Sequence, residues 1–178
     1  MKKILIVYKS VTGFTKEYAE MIANEVEADL LDLKSASASI LSAYDIIVFG
    51  GRVWAGTIDG LKQAKKLFQD SKVSTFLVFA SGATSNSEQD IIDAMWKSNF
   101  SSDELLQIPH FYMQGGLRYE RMPKTERLIM KVMRFMLKKK KDKSDYETEF
   151  EKSIASSFDN TSASYIQPLI EQLHKECQ

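Results

Sequence analysis

Two kinds of segment alternate along this chain. Short, mostly apolar runs predict five strands, over Lys3 to Tyr8 (KILIVY), Ala28 to Leu33 (ADLLDL), Asp45 to Gly50 (DIIVFG), Val73 to Ala80 (VSTFLVFA) and Ile108 to Met113. Their near-continuous apolar character is what a strand buried on both faces requires. Between them, Thr15 to Glu27, Asp59 to Asp70 and Ser87 to Ser98 carry apolar residues at helical spacing, and Ser35 to Ser42 reads as a weak, Ser- and Ala-rich helix. Strands alternating with helices of this length imply right-handed crossovers, hence an α/β, doubly wound parallel sheet covered on both faces.

After the fifth strand the pattern changes. From Lys124 to Lys141 the residues Lys124, Arg127, Lys131, Arg134, Lys138 and Lys141 recur at alternating steps of three and four, which places them on one stripe of a helix. The rest of that helix is broad and apolar, with Leu128, Ile129, Met130, Val132, Met133, Phe135, Met136 and Leu137. Three roles are open to it, and they are not exclusive. Its apolar face packs on the sheet, or its Met-rich face forms a homodimer or partner surface, or the basic amphipathic segment lies against anionic lipid. Asp145, Glu147, Glu149 and Glu151 then read as a solvated polar connector or flap, and Ser162 to Lys175 as a closing helix with Asp159 as its N-terminal cap. The expected organisation is one domain over 1–178, with an insertion over 115–160 and a closing helix over 162–176.

Composition narrows the function. In 178 residues, Lys plus Arg equals Asp plus Glu at 24 each. No global field therefore recruits nucleic acid, and any basic patch is local. The single cysteine, Cys177, excludes an internal disulfide or a Cys-based metal cluster. His110 and His174 lack neighbouring ligands, and no Ser-His-Asp set or paired carboxylates stand out, so neither a metal nor a catalytic side chain is expected. The first strand begins within a few residues of Met1, which leaves no room for a signal peptide, and no apolar run is long enough to span a bilayer. A cytoplasmic location is expected, with peripheral contact at the inner face of the membrane open through 124–141.

In parallel sheets of this kind, ligands bind beyond the carboxyl ends of the strands. The first such loop is Ser10-Val11-Thr12-Gly13-Phe14-Thr15, a hydroxyl-rich turn leading into a helix. Backbone N–H groups, a helix N-terminus and three hydroxyls converge there, a setting for one phosphate. An ordinary capped helix start is equally open. The turn lacks the Gly-Lys-Ser/Thr ending of a nucleoside-triphosphate loop and the three glycines of a dinucleotide turn. The loop after the third strand, Gly50 to Thr57, carries Trp54 between glycines, where it stacks on a planar aromatic ligand or closes the sheet end over apolar neighbours. The loop after the fourth, Ser81 to Asn86, offers backbone amides and the Asn86 side chain to a heterocycle edge.

Ser-Val-Thr-Gly-Phe-Thr after an N-terminal strand resembles the phosphate loop of the flavodoxin family, whose pattern is Ser/Thr-x-Thr-Gly-x-Thr, and Lys3 to about Met113 resembles its five-stranded fold. The resemblance implies strand order 2-1-3-4-5 and noncovalent FMN. It sets Ser10, Val11, Thr12, Gly13, Phe14 and Thr15 around the phosphate, and Arg52, Val53, Trp54, Ala55, Gly56, Ser81, Gly82, Ala83 and Asn86 around the ring. Gly115 to Tyr119 (GGLRY), followed by Arg127 to Lys131 (RLIMK), resembles the flavodoxin-like protoporphyrinogen oxidases that pass electrons to menaquinone. That resemblance implies an FMN-dependent oxidoreductase with a small-molecule or quinone redox partner, and substrate contacts at Arg118, Tyr119 and Arg121. The second loop departs from it, having no Arg-Tyr pair. The alternative is a noncatalytic electron carrier docking on a protein redox partner, from which the neutral charge departs, since small carrier flavodoxins are typically very acidic.

Overall fold

The computed structural model describes residues 2–178, apart from the side chains of residues 145, 146 and 149. Its elements follow the expected alternation: β1 (Ile4–Lys9), α1 (Phe14–Val26), β2 (Asp29–Asp32), α2 (Ala38–Leu41), β3 (Ile46–Trp54), β4 (Thr57–Ile58), α3 (Leu61–Ser71), β5 (Thr75–Gly82), α4 (Gln89–Asn99), α5 (Ser102–Gln107) and β6 (His110–Gln114). The five long strands pair in the order β2-β1-β3-β5-β6, all parallel, which is the doubly wound arrangement expected.

Side-chain alternation along the strands builds two cores. Leu5, Val7, Ile47, Phe49, Val78 and Ala80 meet Leu61, Ala64, Ile92, Met95 and Trp96 from α3 and α4. Ile4, Ile6, Ile46, Val48, Leu77 and Phe79 meet Tyr18, Ala19 and Ile22 of α1 on the other face, together with Leu169, Ile170 and Leu173 near the C-terminus. Each fully buried aliphatic side chain contributes about 1.5–3 kcal/mol, so these layers hold the sheet edge rigid beneath whatever binds there.

The strand ends differ from the expectation in a way that shapes the site. The third strand does not stop at Gly50 but continues to Trp54, folds back through a two-residue turn at Ala55-Gly56 and pairs antiparallel with β4, Trp54 against Thr57. Both turn residues lie at positive φ, 48° and 78°, as a two-residue hairpin turn demands. The fourth expected strand likewise runs on through Ser81 and Gly82. The second and third "loops" are therefore partly sheet.

The insertion folds as β7 (Gly116–Leu117), α6 (Lys124–Lys139), α7 (Asp145–Ser153) and β8 (Phe158–Asp159), and α8 (Gln167–Glu176) closes the chain. β7 and β8 pair antiparallel, Gly116 against Asp159. Leu117, Met122, Met130 and Ile154 form a third, small core, against which Trp54, Met133, Leu137, Phe150 and Phe158 pack. The expected connector is instead helix α7, capped by Ser144 and Glu147 in a capping box and tied down by Lys140–Glu147 and Lys143–Glu151 ion pairs, each 2.6 Å. The side chains of Asp145 and Glu149 lie outside the described residues. Asp159 is no helix cap: it sits in β8, and Ser162 caps the short 3-10 turn before α8. Among the described residues no helix is long and apolar enough to cross a membrane.

Candidate functional site

The carboxyl ends of β1, β3, β5 and β6 open on a cleft of about 1070 Å³, roofed by the insertion. At one end lies the Ser10 to Thr15 turn. Gly13 begins α1 at φ 107°, a conformation L side chains rarely adopt, and no side chain caps the helix. The N-terminal amides of a thirteen-residue helix are thus left to an outside acceptor. The three hydroxyls divide their work. Ser10 Oγ accepts from the Gly13 N–H at 3.2 Å and shapes the turn. Thr15, fully buried, shares a 2.7 Å hydrogen bond with Ser81 on β5 and fastens the helix to the sheet. Thr12 lines the cleft itself, while Val11 faces solvent.

No cation lies inside the turn, but the fold brings two to it. A Cβ built on Gly13 would fall 2.9 Å from Nη1 of both Arg118 and Arg121, so both guanidiniums lean over the turn from the insertion. Arg118 is heavily engaged: it forks onto both Glu17 carboxylate oxygens, reaches Asp159 at 2.7 Å and stacks over the Phe14 ring at 4.0 Å. The hydrogen bond to Glu17 chiefly raises its pKa, against burial and with help from Asp159. Arg121 is mostly exposed, 3.9 Å from Glu17. Tyr119 turns away, its hydroxyl donating to the Ile154 carbonyl at 2.7 Å inside the insertion.

The hairpin forms the next wall. Val53, Trp54, Ala55 and Gly56 line the cleft, and Trp54 also packs against the apolar insertion core. Arg52 is clamped between Asp59, at 2.7 Å, and Glu126 on α6, which it meets bidentately at 2.8 and 2.9 Å. Burial works against the Arg52 charge, yet the two carboxylates raise its pKa. Ser81, Gly82 and Ala83 line the cleft, whereas Asn86 faces a small side pocket beside Asp93, Trp96 and His110. Its backbone N–H donates to Gln114 Oε1 at 3.2 Å.

Several lining residues escape sequence reasoning. Tyr112 and Gln114 come from β6, whose carboxyl end belongs to the same sheet edge. The Tyr112 hydroxyl donates to the Thr84 carbonyl at 2.9 Å, and burial pushes its pKa well up. Burial likewise pushes Tyr18 up to about 12; its hydroxyl donates to the Gln114 carbonyl and locks the end of β6 onto α1. Opposite these, Met122, Met130, Met133, Phe150, Ile154 and Phe158 make an apolar roof. The cleft thus joins a turn with an uncapped helix N-terminus and polar strand ends to an apolar ceiling. No group of His, Cys, Asp and Glu able to hold a metal occurs among the described residues.

One curated relative, an uncharacterized protein of Methanocaldococcus jannaschii, is 35% identical over 68 residues, which is 38% of this chain and 42% of that protein, so the chain spans less than half the relative's length. Similar solved structures include a flavodoxin from the domain Archaea (19% identity, 64% of this chain and 85% of that one, TM-score 0.41). A WrbA-like flavodoxin from Agrobacterium tumefaciens aligns at 20% identity over 64% of this chain and 83% of that one, TM-score 0.43. A flavoprotein in complex with FMN from Lactobacillus acidophilus aligns at 18% identity over 64% and 93%, TM-score 0.43. Residues 5–144 match the flavodoxin domain, a span that begins in β1, takes in the turn and the cleft-lining strand ends and continues through α6, and on that match the chain belongs to the flavodoxin-domain family.

Proposed function

We propose that this chain is an FMN-dependent oxidoreductase that works on a planar, largely apolar redox partner, of the porphyrinogen or quinone class, held beneath the insertion. FMN is the cofactor that family membership brings to the cleft, and the residues present fit it. The uncapped α1 N-terminus at Gly13 suits a terminal phosphate. Thr12 adds a hydroxyl at the cleft wall, and Trp54, Tyr112 and the β5 end supply flat and polar surfaces for a ring. Bound flavin supplies the electron-transfer chemistry, which is why no nucleophile or acid–base pair is needed.

The remaining work belongs to the chain. The turn fixes the anionic end, the rigid ends of β3 and β5 fix the ring wall, and the roof supplies an apolar surface above them. The single observation that carries the reading is that roof: six apolar side chains facing polar strand ends across about 1070 Å³. An electron carrier meets its partner at an exposed cofactor edge, whereas a deep cleft with an apolar roof is suited to a small apolar ligand.

The test is anaerobic mixing of the FMN-loaded protein with protoporphyrinogen, followed by a menaquinone analogue. Bleaching of the flavin absorbance by the first and its return with the second is the expected result. Met133→Glu, which puts a charge into the roof, should slow reduction while leaving FMN bound. A loaded protein that neither compound affects, yet which exchanges electrons with a protein reductase, is a carrier, and the proposal fails.

A further inference from the structure

Helix α6 has two apolar faces, and only one is used by the fold. Met130 is buried and Met133 and Leu137 are half-buried against the third core. On the other side Leu128, Ile129, Val132, Phe135 and Met136 stand 50–66% exposed. Residues 128, 132, 135 and 136 follow helical spacing and form one continuous strip over two turns, with Ile129 at its edge toward the cleft, which it also lines. Isolated exposed apolar residues are ordinary, but five adjacent ones mark a contact surface.

The charges around the strip identify its occupant. Across Lys124–Lys139 there are six basic residues, Lys124, Arg127, Lys131, Arg134, Lys138 and Lys139, and one acid, Glu126. That acid faces inward, paired with Arg52. In a chain whose formal charge is zero, this helix is therefore a concentrated positive patch. Lys131, Lys138 and Lys139 are exposed, and the Lys139 ammonium lies 4.4 Å from the centre of the Phe135 ring. Lysines with long stems beside an aromatic and aliphatic strip can set the strip into an apolar layer and hold their ammonium groups at its polar margin. A second copy of this face would bring lysines against lysines.

We infer that the exposed face of α6 docks on an anionic phospholipid surface, with Leu128, Val132, Phe135 and Met136 entering the acyl boundary and Lys131, Lys138 and Lys139 meeting the headgroups. This surface does not depend on what the cleft binds. It places the cleft edge at Ile129 next to the bilayer.

The experiment is vesicle flotation of the full chain. With phosphatidylcholine vesicles containing roughly a third phosphatidylserine the protein floats, and with phosphatidylcholine alone its partition falls at least about tenfold. Lys131→Gln, Lys138→Gln and Lys139→Gln together lower partition on the anionic vesicles by about a hundredfold, at roughly fivefold per lost charge. Phe135→Ser with Met136→Ser abolishes flotation while circular dichroism and thermal midpoint stay with the parent, because both positions are exposed. Phe135→Trp adds an emission that shifts to the blue and is quenched by brominated acyl chains. Failure to float on anionic vesicles overturns the inference, as does flotation indifferent to Phe135→Ser with Met136→Ser. A concentration-dependent dimer dispersed by that double substitution, with no vesicle binding, assigns the face to a second copy and also overturns it.

Discussion

The pairing of Arg52 with Glu126 ties the roof to the sheet, and its strength can be worked out from the contacts. The Arg52 side chain is only 12% exposed and that of Glu126 only 16%, and they meet through two parallel hydrogen bonds of 2.8 and 2.9 Å. A hydrogen bond to a charged group contributes about 1.5–3 kcal/mol, more when both partners are out of water. Glu126→Gln keeps the shape and one weaker bond, and Asp59 still holds Arg52, so its cost is about 2 kcal/mol. Arg52→Met leaves two carboxylates facing each other without a cation and costs about 3 kcal/mol. The double substitution costs less than the sum, with a coupling energy of about 1.5–2 kcal/mol. The loss is local, because Arg52 joins the insertion to the hairpin and does not hold the sheet itself. Amide hydrogen exchange is the assay: Glu126→Gln speeds exchange across α6 about thirtyfold, at tenfold per 1.4 kcal/mol, while β1, β3 and β5 keep parental rates. Unchanged exchange in α6, or a coupling energy below about 0.5 kcal/mol, would refute the reasoning.

Three further outcomes are expected. Gly116→Ala sets a Cβ 2.1 Å from the Phe158 carbonyl oxygen, which forces β7 from β8 and lowers stability by about 1–3 kcal/mol, read from urea unfolding. Ala55→Gly relieves a left-handed residue at φ 48° and stabilises the hairpin by about 1 kcal/mol, seen as a higher thermal midpoint; no gain would mean the turn is not strained. Burial works against the Asp159 carboxylate, but the Thr161 N–H and Arg118 prevail and hold its pKa below the usual carboxylate range. Because the folded value is depressed, the stabilisation is present above the unfolded value of about 3.9 and is lost as pH falls through the folded one. Asp159→Asn should flatten that part of an acid titration followed by near-ultraviolet circular dichroism, and a superimposable titration would count against the pair.

Periodicity made the sheet legible because β1, β3 and β5 are buried on both faces and leave nearly unbroken apolar runs. Where a strand emerges from the core that signal fades. Gly51 to Trp54 looks like loop because Arg52, Val53 and Trp54 do not continue the buried apolar run and the turn that follows is Ala-Gly, not the Asn-Gly that advertises a hairpin. The Ser10 to Thr15 turn was visible as a string of hydroxyls, but the division of labour among them was not. Thr15 is occupied by Ser81, a partner 66 residues away, and local sequence carries no trace of it. The same holds for Arg118 and Arg121. Their motif pointed to a substrate, and their position over Gly13 comes from the way β7 pairs with β8. In α6 the difficulty was symmetry: apolar residues cover so much of the helix that spacing alone could not show which side meets protein. Met130 meets it, and Val132, two residues on, does not.

The two halves of the cleft are held by different forces. The polar half rests on strands buried on both faces, with Thr15–Ser81 and Tyr18–Gln114 hydrogen bonds bracing α1 against the strand ends. The apolar half rests on four buried side chains, Leu117, Met122, Met130 and Ile154, and on the Arg52–Glu126 and Arg118–Asp159 clamps. A core of four side chains supplies a small fraction of the hydrophobic stabilisation of the two sheet faces, and a pair as exposed as Asp159 adds little more. Local opening therefore begins in the insertion. On the proposed function, a roof that lifts while the sheet edge stays fixed would admit a bulky apolar ligand without disturbing the turn proposed to hold the phosphate. Both clamps consequently act on access to the chamber more than on the hold over the cofactor.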